Sequence, residues 1–183
     1  MPPRERLLFE PFAVSLFLHK HSPAPTPKLK ARVRETGLDL DKPLLPGYPA
    51  ELLPKWLQIA AEELHPHLPT SEAYREIGRQ FVRGWQETLI GKAAAGVLRV
   101  IGPRRALHRV NSAFRTGDNF VETQAEDLGP TKVRMRFNEV SGAPDYYAGV
   151  LHEGGVLTRA KNPRVTVESH DRPGAVLIVE WEE

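Results

Sequence analysis

Between residues 26 and 117 apolar positions recur every three to four residues, the period of helices with one buried face. Pro23, Pro25, Pro27, Pro43, Pro46, Pro49, Pro54, Pro66 and Pro69 bound these segments, because proline lacks a backbone donor and clashes with the preceding turn. Leu29, Val33 and Leu38 fit a short helix that Gly37 would end, and Leu52, Leu53, Trp56, Leu57, Ala60 and Leu64 fit an amphipathic one. Thr70-Ser71 offers an N-cap for the longest helical stretch, Glu72 to about Ile101. Gly102-Pro103 opens a further helix, and Gly117 is expected to stop it in a left-handed conformation.

From Asn119 the period shortens to two. Val121, Thr123 and Ala125 alternate with Glu122, Gln124 and Glu126, and Val133, Met135 and Phe137 alternate with Lys132, Arg134 and Arg136. Leu128-Gly129-Pro130 supplies a turn, so this reading sets Glu126 opposite Lys132, Gln124 opposite Arg134 and Glu122 opposite Arg136, with Val121, Thr123, Val133, Met135 and Phe137 facing inward. A helix from Ala143 to Thr158 follows, fraying at Gly154-Gly155, and then a second hairpin, Arg164 to Ser169 and Ala175 to Trp181, closed by Asp171-Arg172-Pro173-Gly174. The pattern predicts an α+β fold, N-terminal helices packed on a C-terminal antiparallel sheet of β-β-α-β-β order, in one domain over 1–183 that is mainly helical over 26–117.

Composition adds constraints rather than a function. A chain of 183 residues, 40% hydrophobic and 26% charged, can bury its own core. The absence of cysteine excludes disulfides, thiol nucleophiles and thiolate metal sites, and points to a cytoplasmic setting. No apolar run approaches the ~20 residues of a membrane span, and a formal net charge of +2 is weak for a nucleic-acid binder, so neither membrane nor nucleic acid is expected as a partner.

Motifs that carry known chemistry are few in this sequence. Gly91-Lys92 is followed by Ala93, and residue 86 is Gln, so no phosphate-binding loop forms; Gly-x-Gly-x-x-Gly and Gly-x-Ser-x-Gly are also absent. His19-Lys20-His21, His65-Pro66-His67 and the half-motif His152-Glu153-Gly154-Gly155 read as surface residues, with no metal site. His108 is a helical histidine of the kind that ligates haem, although a structural role is the commoner one. Lys132, Arg134 and Arg136, like Arg104, Arg105 and Arg109, read as a solvated face balanced by Glu122 and Glu126. Gly84, Gly91, Ala94 and Ala95 leave helix surface bare, for close packing or, alternatively, a cavity wall. The densest polar and aromatic segment is Phe114-Arg115-Thr116-Gly117-Asp118-Asn119-Phe120, where Arg115 and Asn119 either hold a ligand head group or brace the helix end.

Gly37-Leu-Asp-Leu-Asp41, Pro43-Leu-Leu-Pro-Gly-Tyr-Pro49, the run Gly78 to Gly91, Gly102-Pro-Arg-Arg105, Phe114 to Asn119, Asn138-Glu-Val140 and Tyr147-Ala-Gly149 together give a resemblance. On these stretches, across residues 37 to 181, the chain resembles an uncharacterised paralogous family of about 180-residue proteins abundant in myxobacteria; the first 25 residues match it poorly. The family has no agreed activity. Helices followed by β-β-α-β-β also look, by topology alone, like the ligand-binding superfamily of haem-nitric-oxide sensors, vinyl-reductase-type domains and vesicle-tethering subunits, although the sensors' Tyr-x-Ser-x-Arg motif is absent here.

The expectation is therefore a non-enzymatic sensing or regulatory module without cofactor, holding a small, partly apolar ligand between the long glycine-bearing helix and the sheet. Trp85, Thr88, Arg115, Asn119 and Tyr147 are its candidate ligand-binding residues. The alternative is an adaptor that binds a protein partner, or a second copy of itself as a homodimer, through a helix face or sheet edge.

Overall fold

Helix boundaries follow local chemistry throughout the N-terminal half of the computed structural model, which describes residues 5–20 and 23–183. A short strand β1 (Leu7–Phe9) leads into α1 (Glu10–Phe17). In α2 (Pro27–Arg34) the Thr26 hydroxyl accepts the Leu29 N–H at 3.1 Å and Pro27 opens the first turn. Gly37, at φ 98°, turns the chain away after that helix, the left-handed role read from its position. β2 (Gly47–Pro49) then pairs antiparallel with β1, a two-stranded sheet that the helical periodicity does not reveal. A single 3-10 turn leads to α3 (Leu53–Leu64), where Trp56 is fully buried between Tyr48 and Phe17.

The long stretch expected from Glu72 to Ile101 is two helices, α4 (Thr70–Trp85) and α5 (Leu89–His108). Thr88 separates them: its hydroxyl accepts the Gly91 N–H at 3.0 Å and donates to the Trp85 carbonyl at 2.7 Å, an N-cap hidden inside a helical pattern. At Gly91 a Cβ would lie 1.8 Å from the Trp85 oxygen, so this turn admits only glycine. α5 breaks at Gly102 (φ 78°, ψ 170°) and restarts at Pro103, as that dipeptide implies. After α6 (Val110–Phe114), Gly117 does not adopt the expected positive φ; its bare face instead lies against the Phe12 ring.

The C-terminal half has the expected order: β3 (Thr123–Gly129), β4 (Lys132–Phe137), α7 (Pro144–Leu157), β5 (Lys161–Ser169) and β6 (Ala175–Glu182). The four strands form an antiparallel sheet in the order β3-β4-β6-β5. Gly154 and Gly155 lie inside α7, which continues through them rather than fraying. α7 packs on the sheet on one side and on α4 on the other, and α4 packs in turn on α1. The α4–α7 crossing brings backbones together: a Cβ on Gly78 would lie 2.1 Å from the Tyr146 oxygen, and one on Gly149 2.0 Å from the Arg75 oxygen. The bare helix surface read from the glycines is thus close packing, here and at Gly84 beside His19 and Ser15.

The first hairpin differs from the expected register. Glu126 stands opposite Arg134, and Gln124 opposite Arg136, two residues from the predicted pairing of Glu126 with Lys132. The reason is the turn: β3 runs on to Gly129, which pairs with Lys132 and leaves only Pro130 and Thr131 between strands, with an irregularity between Asp127 and Gly129. A slip of two preserves the alternation of faces, so Val121, Thr123, Val133, Met135 and Phe137 are all buried as expected. Arg134 bridges Glu126 and Glu168, each at 3.1 Å, while Lys132 pairs with Glu180. The basic strand face is an ion-paired surface.

Candidate functional site

The packing of α4, α5, α6, α7 and β6 leaves a cavity of about 80 Å³, several times the space one water needs. One wall is a chain of rings. Phe12 lies 4.7 Å from Phe81, Phe81 5.8 Å from Tyr146, Tyr146 5.0 Å from Tyr147, and Tyr147 6.1 Å from Phe114, centroid to centroid. These rings come from four different helices, each supplying its apolar face. Much of the remaining lining is aliphatic, with Leu98 and Leu107 of α5, Val150 and Leu157 of α7 and Val179 of β6. Trp85 and Trp181 also line the space.

The polar end is Asp118, in the junction between α6 and β3 and only 3% exposed. Its Oδ1 accepts the backbone N–H groups of Phe120 at 3.0 Å and Val121 at 2.9 Å, which fixes the side chain inward. Burial nevertheless pushes the carboxyl up to about 6, against the pull of those two N–H groups and of the Arg115 guanidinium 3.7 Å away. Its Oδ2 has no hydrogen-bond partner among the described residues, and neither do the hydroxyls of Tyr146 and Tyr147. Burial pushes both phenols well above the usual tyrosine range, so they remain neutral.

The five residues singled out by sequence are not brought together. Trp85 and Tyr147 reach the cavity, although the Trp85 indole N–H is already spent on the Thr116 hydroxyl at 2.8 Å. Thr88 caps α5. Arg115 donates to the Val121 carbonyl and to Glu122, both at 3.0 Å. Asn119 accepts the Leu7 N–H at 2.8 Å and donates to the Glu5 carbonyl at 2.9 Å, tying β1 to the junction. Arg115 and Asn119 have the geometry of braces, so Arg115→Ala and Asn119→Ala should each destabilise the fold by about 1–3 kcal/mol, read from urea unfolding curves, through backbone groups left unsatisfied. Sequence reading missed Asp118, although it lies inside the segment singled out. An aspartate preceding a strand can turn its oxygen onto the next N–H groups, and that signal was available.

The histidines are dispersed. His21 lies outside the described residues. His19 is buried, not at the surface as expected, in the space that Gly84 leaves. The His65 and His67 rings stand 6.4 Å apart, and His152 is half-buried on α7. His108 sets its Nε2 2.9 Å from Asp127 Oδ1 on the protein surface, away from the cavity. Among the described residues no three His, Cys, Asp or Glu side chains converge as a metal site would need, and no helix is long and apolar enough to cross a membrane.

Comparison with known proteins supports the fold. An H-NOX protein from K. algicida superposes with a TM-score of 0.60 at 10% identity, over 85% of each chain. An oxygen-binding H-NOX domain related to soluble guanylate cyclases gives 0.56 at 11%, also over 85% of each. A T. Tengcongensis H-NOX variant gives 0.53 at 12%, over 85% of this chain and 87% of that one. At such identities the likeness is one of fold. No curated protein is detectably similar in sequence. A family model does match, and it takes in β1 and α1, which lie in the segment expected to match poorly. Because that match runs over residues 6–182, the chain belongs to the family described as Protein of unknown function (DUF2378).

Proposed function

We propose that the protein is a non-enzymatic sensing or regulatory module that holds a small, partly apolar molecule in the cavity between α4, α5, α7 and the sheet. The observation that carries this reading is an apolar pocket lined by aromatic rings and by one buried, incompletely bonded carboxyl. Protein interiors are otherwise packed to the density of organic crystals, and an apolar space with a few convergent polar groups is the usual form of a ligand site.

H-NOX structures studied for their haem are among those that share the fold, so haem is the first ligand to weigh. The cavity does not fit it. Its volume is far below the roughly 300–1,000 Å³ of pockets for ligands of even moderate size. Among the described residues no His, Cys or Met lines it to ligate iron, no Lys or Arg lines it to hold acidic groups, and the two phenols keep their protons.

The adaptor reading has one observation in its favour. Leu89, Ile90, Val97 and Val100 are exposed, and at 100° per residue they fall on one face of α5. That face and the cavity lie on the same helix, so a ligand that moved α5 would also move the exposed stripe.

A thermal-shift titration with isobutanol tests the ligand reading. The alcohol should stabilise the wild type saturably, approaching about 2.7 kcal/mol at a hundredfold excess over its Kd. Val150→Phe, which places a larger side chain in the void, should abolish the response. A wild type indifferent to isobutanol, or an equal response in the variant, contradicts the reading.

A further inference from the structure

Resting on the ligand reading above, we infer that the cavity is built for a small organic cation, an ammonium group on an apolar body, with the charge set between Asp118 and the aromatic wall.

Asp118 is more than nine-tenths buried, and its second oxygen has no partner among the described residues. A buried acid of this kind is costly unless a positive or donating group meets it. Among the described residues Arg115 is the cation acting on it, and it approaches the oxygen already bonded to backbone, at 3.7 Å. That guanidinium is itself exposed and committed to Val121 and Glu122. Among the described residues no Lys, Arg or His lines the space, so none of them meets the carboxylate from the cavity side.

The second observation is the wall. Phe12, Phe81, Phe114, Tyr146 and Tyr147 stand in one continuous series of ring contacts around the same void. Each ring face is the negative end of a quadrupole, and aromatic residues grouped around a cavity attract ammonium ions by cation–π interaction, most strongly where water is excluded. The neutral phenols add acceptor oxygens. Buried acid, acceptor oxygens and ring faces all select the same sign of charge. An anionic head group would meet Asp118 with no cation to offset it, and a purely apolar ligand would leave Oδ2 unmet. The aliphatic lining residues Leu98, Leu107, Val150 and Leu157 suit the body of the molecule, and about 80 Å³ limits that body to a few carbons.

The test is isothermal titration calorimetry of the whole chain at pH 7.5 with three probes of nearly equal shape: isobutylammonium, isobutanol and isobutyrate. Isobutylammonium should bind at least about tenfold more tightly than isobutanol, and isobutyrate should be the weakest. Asp118→Asn keeps an oxygen to accept the Phe120 and Val121 N–H groups, and it should bring isobutylammonium down to the affinity of the alcohol. Phe81→Leu, which removes a ring while leaving the carboxyl in place, should weaken the ammonium severalfold and the alcohol little. If isobutanol or isobutyrate binds the wild type as tightly as isobutylammonium, the inference is overturned and the ligand reading stands. If none of the three binds, the ligand reading falls and the inference falls with it. The wild-type comparison decides the matter even where a variant fails to fold.

Discussion

Gly78→Ala should destabilise the protein by about 3 kcal/mol or more. A Cβ there would lie 2.1 Å from the Tyr146 oxygen and 2.8 Å from the Val150 nitrogen, both backbone atoms of α7. No rotamer change relieves a clash with backbone, so the two helices would have to separate. Separation would stretch the ties on either side of the crossing, Arg75 to Asp145 at 2.8 Å and Arg83 to Glu153 at 2.9 Å. It would also move Tyr146 and Val150, which line the cavity. Against this stands only the gain of about 1 kcal/mol that alanine brings to a helix interior. Gly96→Ala is the control, because its Cβ would meet nothing within 4 Å; that variant should be stabilised by up to about 1 kcal/mol. Urea unfolding of the two variants beside the wild type should show opposite signs, and equal midpoints would contradict the crossing as described.

The second large effect is the pH dependence of Asp118→Asn. In the folded protein burial raises the Asp118 carboxyl to about 6, from an ordinary value of 3.8. Between those values the native state holds more protons than the unfolded state, so this group's contribution to stability is greatest below about 4 and declines as pH rises through 6. A shift of about two units corresponds to about 3 kcal/mol lost between pH 4 and pH 7. Asparagine does not ionise, and it still offers an oxygen to the Phe120 and Val121 N–H groups. Relative to the wild type the variant should therefore gain up to about 3 kcal/mol on going from pH 4 to pH 7.5, whatever its offset at either end. The comparison isolates one group, because carboxylates held low by their partners, such as Asp127 beside Arg104 and His108, act in the opposite sense and are common to both proteins. A wild-type-to-variant difference that stays flat across this range would place Asp118 in a more solvated setting than the cavity end.

How much of this was legible from sequence varies with the range of the forces involved. Strand faces and the β-β-α-β-β order follow from alternation within single segments, which is why Val133, Met135 and Phe137 fall in the core. Register depends on where the turn closes, and β3 continued past the expected turn because Gly129 can still pair with Lys132. The split between α4 and α5 depended on one hydroxyl, that of Thr88, in a stretch whose apolar period hardly changes. The cavity was the least legible part. Phe12, Phe81, Phe114 and Tyr146 come from four helices, and no local pattern marks them as neighbours. Polarity in the segment around Gly117 drew notice to Arg115 and Asn119, yet their hydrogen bonds are spent on backbone carbonyls and on β1. The side chain that turns inward is Asp118, held by N–H groups two and three residues ahead of it.

The central claim, that the space among α4, α5, α7 and β6 admits a ligand, can be tested with the protein's own three indoles. Trp85 and Trp181 line the cavity, whereas Trp56 is sealed in the N-terminal core with its N–H on the Thr36 hydroxyl at 2.8 Å. Xenon enters dry apolar cavities whatever head group the natural ligand carries. In a proton–nitrogen correlation spectrum recorded under increasing xenon pressure, the indole N–H signals of Trp85 and Trp181 should move and saturate while that of Trp56 stays fixed. Stationary signals from all three, or equal unsaturating drift, would contradict the account.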